Sequence, residues 1–305
     1  SLSIAGSQSA SLSSVSISHL FQSAFNNDKK LLAFTDSVQD SSHRASFFSA
    51  RTYRFGLRTA IQSIVENDES GDIPFVDFTD KFFDYWLTKL DNPADFIATF
   101  MPPDLKEIHQ YKDYMDVVAH KEKKQDLEKE LLAILHKRLS WEFTIEYGLN
   151  LRLGRTLTKS LCSAAYIHPE TIETVLSDIA EPLQNEFVLL RNCDNTQIQQ
   201  FVLGLLTRLV DRGGIDHPMI RSYIENENRF LLYKYKNPYM SPFGGNIRLP
   251  KFLTNRQGGR IFDCFITSQR GISWFLDWAR RSLNENIDTN ISNDIYAYMV
   301  QQLLK

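Results

Sequence analysis

Apolar residues recur at helical spacing over most of the chain. Phe47, Phe48, Tyr53, Phe55, Leu57, Ile61 and Ile64 give one side of a helix over 38–65, with Gly56 weakening its middle. Phe75, Phe78, Phe82, Phe83 and Trp86 form an aromatic stripe over 75–90, a pattern that suits a core face better than a ligand cage. Residues 104–143 are the clearest helical region: Leu127, Leu131, Ile134, Leu135 and Leu139 align on one side, and Lys and Glu fill the others. Further helices are predicted over 156–165, 169–190, 195–211, 272–283 and 292–304. Asp194 or Asn195 suits the start of the third of these, and Gly213-Gly214 its end. Two stretches break the rhythm. Leu31-Leu32-Ala33-Phe34 is a short apolar run with polar borders, the profile of a strand buried on both faces. Residues 230–235 and 247–252 read as two strands around a turn containing Pro238, Pro242 and Gly244-Gly245. Residues 1–18 hold nine serines and read as a loop or edge segment.

Composition adds little until it is divided. The 305 residues are 43% hydrophobic and carry a net charge of −3, ordinary values for a globular chain. Residues 1–64 hold six basic and three acidic residues, 65–150 ten and nineteen, and 151–305 eighteen and fifteen. An acidic middle between basic flanks fits flanks that face a polyanion, and equally fits segregation of solvated faces. Cys162, Cys193 and Cys264 stand far apart, with no metal spacing, so zinc is not expected and a reducing, cytoplasmic compartment is. No apolar run is long enough to cross a membrane, and no membrane partner is expected. The first residue is Ser1 rather than Met, so either an excised fragment or a processed product is expected.

Catalytic signatures do not assemble. The sequence has no GxxxxGK[ST] phosphate loop, GxGxxG turn, GxSxG elbow or HExxH. No nucleophile, base and orienting group come together, so no catalytic, cofactor or metal residue is assigned.

One segment carries a resemblance. Lys29-Lys30-Leu31-Leu32-Ala33-Phe34-Thr35-Asp36-Ser37-Val38-Gln39-Asp40 continues through His43-Arg44-Ala45-Ser46-Phe47-Phe48 to Arg51-Thr52-Tyr53-Arg54. It resembles motif IV, at the opening of the second RecA-like domain of large bacterial superfamily-2 DEAD/DEAH-box helicases. More narrowly it is similar to the very long helicases of phage-defence systems of the Druantia type. These are relatives of helicases with a C-terminal domain of unknown function. Fainter similarity lies in Glu146-Tyr147-Gly148 with Gly154-Arg155-Thr156-Leu157, in Arg212 to Pro218, and in Trp274 to Arg281.

The resemblance implies a mainly α fragment with a minor β component. Residues 1–66 would start the second RecA-like domain, 67–194 would be a helical insertion, and 195–305 a helical region with a winged-helix-like element. It implies DNA and the rest of the helicase chain as partners, with ATP and Mg bound by the parent rather than by this piece, and a role in antiviral defence or DNA repair. The fragment alone is not expected to be active.

The residues fit such a strand contact. Thr35, Ser37 and Gln39 could donate to phosphate where a strand meets a helix N-terminus. His43 and Arg51, eight apart, share a helix face that Arg44 flanks. Equally, Asp36 and Ser37 could simply cap the helix while the arginines pair with acids. Tyr233-Lys234-Tyr235-Lys236 would put Lys234 and Lys236 on one face of a strand, either along nucleic acid or on the soluble edge of a small sheet. The alternative function is a helical protein-interaction module with no nucleic-acid contact.

Overall fold

The computed structural model describes residues 38–69, 71–120, 125–148, 156–215, 217–224, 263–266 and 272–303, with residues 16, 19, 20 and 25. Among these the fold is mainly helical and contains no strand. The expected strands at 31–34, 230–235 and 247–252 lie outside the described residues. No helix among the described residues is long and apolar enough to cross a membrane. The chain divides into two compact units. One is drawn from Ser1–Phe143 and His217–Ile247, the other from Thr144–Asp216 and Arg248–Lys305.

In the first unit, α1 (Val38–Asn67) runs as one helix through Gly56. Ala50, Leu57, Ala60, Ile61 and Ile64 form its buried side. α2 (Phe78–Leu90) starts later than the aromatic stripe predicts, because residues 75–77 turn before it. α3 (Pro93–Phe100) is a helix in a stretch where none is predicted. Pro93 sits in its first turn, where a missing N–H costs nothing, and the Asn92 side chain accepts from Ala94 N at 2.9 Å. Phe82 is the hub of an aromatic core. Its ring centroid lies 4.9 Å from that of Phe100 and 5.0 Å from that of Phe143. Face-edge and tilted geometries such as these are the favourable ones for aromatic pairs. Trp86 closes the layer against α1 by donating to the Ala60 carbonyl at 3.3 Å.

The region 104–143 is two helices rather than one. α4 (His109–Ala119) ends at His120, and α5 (Gln125–Tyr147) follows. From Arg138 to Gly148 every residue of α5 and its end is buried. Arg138 is held there by charge. It donates to both carboxylate oxygens of Asp104, at 2.9 and 3.2 Å, and through Nε to Glu142 at 2.8 Å. The two-pronged Arg–Asp geometry is the strong form of this pair.

The second unit is built around α6 (Pro169–Glu186), α7 (Asn195–Asp211), α10 (Trp274–Leu283) and α11 (Thr289–Leu303). They close a cycle in which α6 meets α7, α7 meets α10, α10 meets α11 and α11 returns to α6. Their shared core includes Leu183, Phe201, Leu205, Phe275, Tyr296 and Met299. The helix starts are written into the sequence. Asp194 accepts from Gln197 N at 2.7 Å while the Gln197 side chain accepts from Asp194 N at 2.9 Å, a reciprocal capping box. Ser273 caps α10 through Leu276 N at 3.2 Å, and Asp288 caps α11 through Asn290 N and Ile291 N at 2.7 and 2.9 Å.

A helix expected over 156–165 does not form. A single turn there ends at Leu161, whose φ is +58°, and the chain then runs without regular structure to Pro169. The short helices α8 (Pro218–Ile224), in the first unit, and α9 (Asp263–Ile266), in the second, were not predicted.

Candidate functional site

The residues expected to meet a strand sit at the front of α1. That helix begins at Val38, directly after Thr35-Asp36-Ser37, which lie outside the described residues. Gln39, His43 and Arg44 fall in its first two turns, and nothing further is described of their side chains. Arg51, nearly four turns in, is exposed. Lys234 and Lys236 lie outside the described residues. Farther along α1, the Tyr53 hydroxyl is buried and has no hydrogen-bond partner. Burial first, and the nearby Glu142 carboxylate second, hold its phenol well above the usual tyrosine range. Opposing them is the Arg138 guanidinium. The middle of α1 is therefore anchored in the first unit beside a buried charge cluster.

The second unit holds a concave feature, a groove of about 510 Å³ between α7 and α10. Its floor is aromatic. Trp274 and Trp278, one turn apart on α10, have parallel rings (6° between planes) with centroids 6.3 Å apart. The Arg208 guanidinium carbon lies 5.0 Å from the Trp274 ring centroid, within cation–π range. Trp278 is fixed from two sides. Its Nε1 donates to the Phe201 carbonyl at 3.1 Å, and its ring lies so close to Gly204 that a Cβ there would run into the indole. A glycine in mid-helix costs about 1 kcal/mol relative to alanine. Here it makes room for the indole.

Exposed Gln200, Thr207 and Asp211 form the polar rim on α7, and exposed Leu203 the apolar part. Trp278 meets α7 at Gly204 while Trp274 meets it at Arg208, so the two helices run antiparallel. Arg281, three residues past Trp278 on α10, pairs with Asp277. Arg212 lies one turn beyond Arg208, at the C-terminal end of α7.

Sequence reasoning placed Trp274 to Arg281 in a helix but did not join it to α7. The groove needs partners some seventy residues apart in sequence, and the only local signal for it was Gly204 inside an otherwise regular helix. Among the described residues no group of His, Cys, Asp or Glu is arranged to hold a metal ion. Cys162 is exposed and Cys193 buried; burial pushes the Cys193 thiol up. Comparison with family models, with curated proteins and with solved structures finds no match to this chain.

Proposed function

We propose that this chain is part of an ATP-dependent nucleic-acid helicase or translocase, where it contributes a contact to the tracking strand and an accessory helical region, in bacterial defence or DNA repair. The observation that carries the reading is the join at residue 38. The motif-like run Leu31 to Gln39 overlaps in sequence the start of the thirty-residue helix Val38–Asn67, so its polar residues would stand at a helix N-terminus. Free N–H groups and the helix dipole favour a phosphate there. His43, Arg44 and Arg51 add cationic positions along the first turns, and Lys234 and Lys236 would add a second contact on a winged-helix-like element. Such a contact grips the backbone and ignores base identity, as translocation requires. In this reading ATP and Mg are bound by the rest of the parent chain, since no phosphate loop is written into these residues.

The test is binding of single-stranded DNA by the full chain as a function of salt. The expected result is affinity that falls steeply with salt, with Arg44→Glu and Arg51→Glu each lowering the log–log slope by about one contact. Binding that neither salt nor these variants alter would overturn the reading, as would no binding at low salt. Capture of a defined protein partner without any DNA shift would favour a helical interaction module instead.

A further inference from the structure

The geometry points to the groove between α7 and α10 as a site for unstacked bases of single-stranded nucleic acid, with Trp274 and Trp278 as the stacking floor and Arg208 completing it. It is separate from the contact proposed at the front of α1 and does not depend on it.

Three observations argue for this occupant. First, the groove presents flat π surface. Two indoles stay parallel to within 6°, and one carries a guanidinium above it. Indole and guanidinium planes are the surfaces on which proteins lay single-stranded bases without regard to sequence. Second, the surface is held in place before any ligand arrives. The Gly204 notch and the hydrogen bond to Phe201 fix Trp278, and Ser273 caps the helix that bears both indoles. Pre-fixed side chains have less freedom to lose on binding. Third, the charges are placed for a strand. Arg208 stands over the floor, 5.0 Å from the Trp274 centroid, and Arg212 follows one turn on along α7, on the course that phosphates flanking a stacked base would take. On the rim, Gln200 offers an amide to base edges and Asp211 an acceptor for a base amino group. A groove of about 510 Å³ falls in the range of small-ligand sites and suits one or two bases. An aromatic floor with a polar rim would also receive a proline-rich peptide, docked in its extended helical form.

The experiment titrates the full chain with an unlabelled oligothymidine of about fifteen nucleotides and follows tryptophan fluorescence. The expected result is quenching that is lost largely in Trp274→Ala, with affinity about ten-fold weaker. Thr207→Glu is the second variant. It alters only the exposed rim, keeps the helical circular dichroism, and places a carboxylate against the phosphates; it should weaken binding as well. Oligothymidine binding with unquenched tryptophan and unchanged affinity in both variants overturns this site while leaving the contact at α1 standing. The converse, quenching that survives Arg44→Glu and Arg51→Glu but not Trp274→Ala, supports the groove alone. Quenching by a proline-rich peptide but not by oligothymidine overturns the proposal, as does the absence of any oligothymidine binding.

Discussion

Two positions show how one backbone shape is met by different residues. Gly213 ends α7 at φ +88°, with its N–H on the Val210 carbonyl at 2.9 Å and that of Gly214 on Leu209 at 2.8 Å. Leu161 ends the turn at 156–162 in the same way. Its N–H meets the Thr158 carbonyl at 3.1 Å, and Cys162 N–H meets Leu157 at 3.0 Å. Both are the left-handed helix ending that glycine makes easily. A branched side chain there strains against its own backbone. Leu161 gains no compensating burial, since 93% of it is exposed. Leu161→Gly should therefore raise stability, by about 1 kcal/mol after the extra freedom of glycine in the unfolded chain is counted. The midpoint of urea unfolding measures it, and a fall in midpoint would show that the leucine is held by something other than its own loop.

At the scale of elements, α5 departs furthest from its sequence pattern. Its first turns show the expected stripe, with Leu131 and Leu135 buried between exposed Lys129, Glu130 and Lys137. From Arg138 on, burial reaches every side, and a charged row at 138, 142 and 146 goes inside with the apolar residues. Glu146 repays this by accepting from Leu157 N at 2.8 Å, and Arg138 and Glu142 by pairing. Periodicity cannot reveal such a helix, because it reports which face is apolar and is silent on how many faces are covered. The density of Trp141, Phe143, Ile145 and Tyr147 was the available hint. Caps are far more legible, since Asp194 and Gln197 lie three residues apart in sequence and need no tertiary information. Pro93 alone is an ambiguous signal because proline both ends and begins helices, and only the Asn92 cap separates the two. The same locality explains the candidate sites. The front of α1 was visible as a contiguous motif, whereas the Trp274–Arg208 floor exists only once two distant helices meet. The buried charge gives a sharp prediction. Arg138→Met keeps the length of the side chain but strips Asp104 and Glu142 of their guanidinium, and should cost about 3–5 kcal/mol. Adding Asp104→Asn and Glu142→Gln to that variant should restore part of the loss; equal stability of the single and triple variants in urea would contradict the pairing.

The whole molecule carries a pH signature through its tyrosines, which are distributed over both units. In the first, burial raises the phenols of Tyr53, Tyr111 and Tyr114, and at Tyr114 the hydrogen bond to Glu128 at 2.8 Å adds to it. In the second, Tyr147 is pushed up to about 12, chiefly by burial, against a lowering hydrogen bond with Ser163 at 2.8 Å. All four shifts have one sign. A native phenol keeps its proton to higher pH than the same phenol in the unfolded chain, which loses it near 10. Below about 10 both states are protonated and the burial is fully expressed as stability. Above it the unfolded chain binds fewer protons, so stability falls as pH rises, and for Tyr147 the fall runs to about 12. Urea midpoints should thus begin to fall at about pH 8.5, where the unfolded Cys193 thiol loses its proton and the buried one keeps it, and drop further from the onset of phenol ionisation. Tyr147→Phe keeps the ring but has no proton to lose, so it should be less stable at pH 7, where the Ser163 bond is gone, yet decline less steeply above pH 10. Absorbance of phenolate in the native chain gives an independent reading, with a late-titrating group that disappears in Tyr147→Phe. Native tyrosines that all ionise together near 10, with parallel pH profiles for the two proteins, would mean that water reaches Tyr147 and that the loop at 156–163 does not close over it.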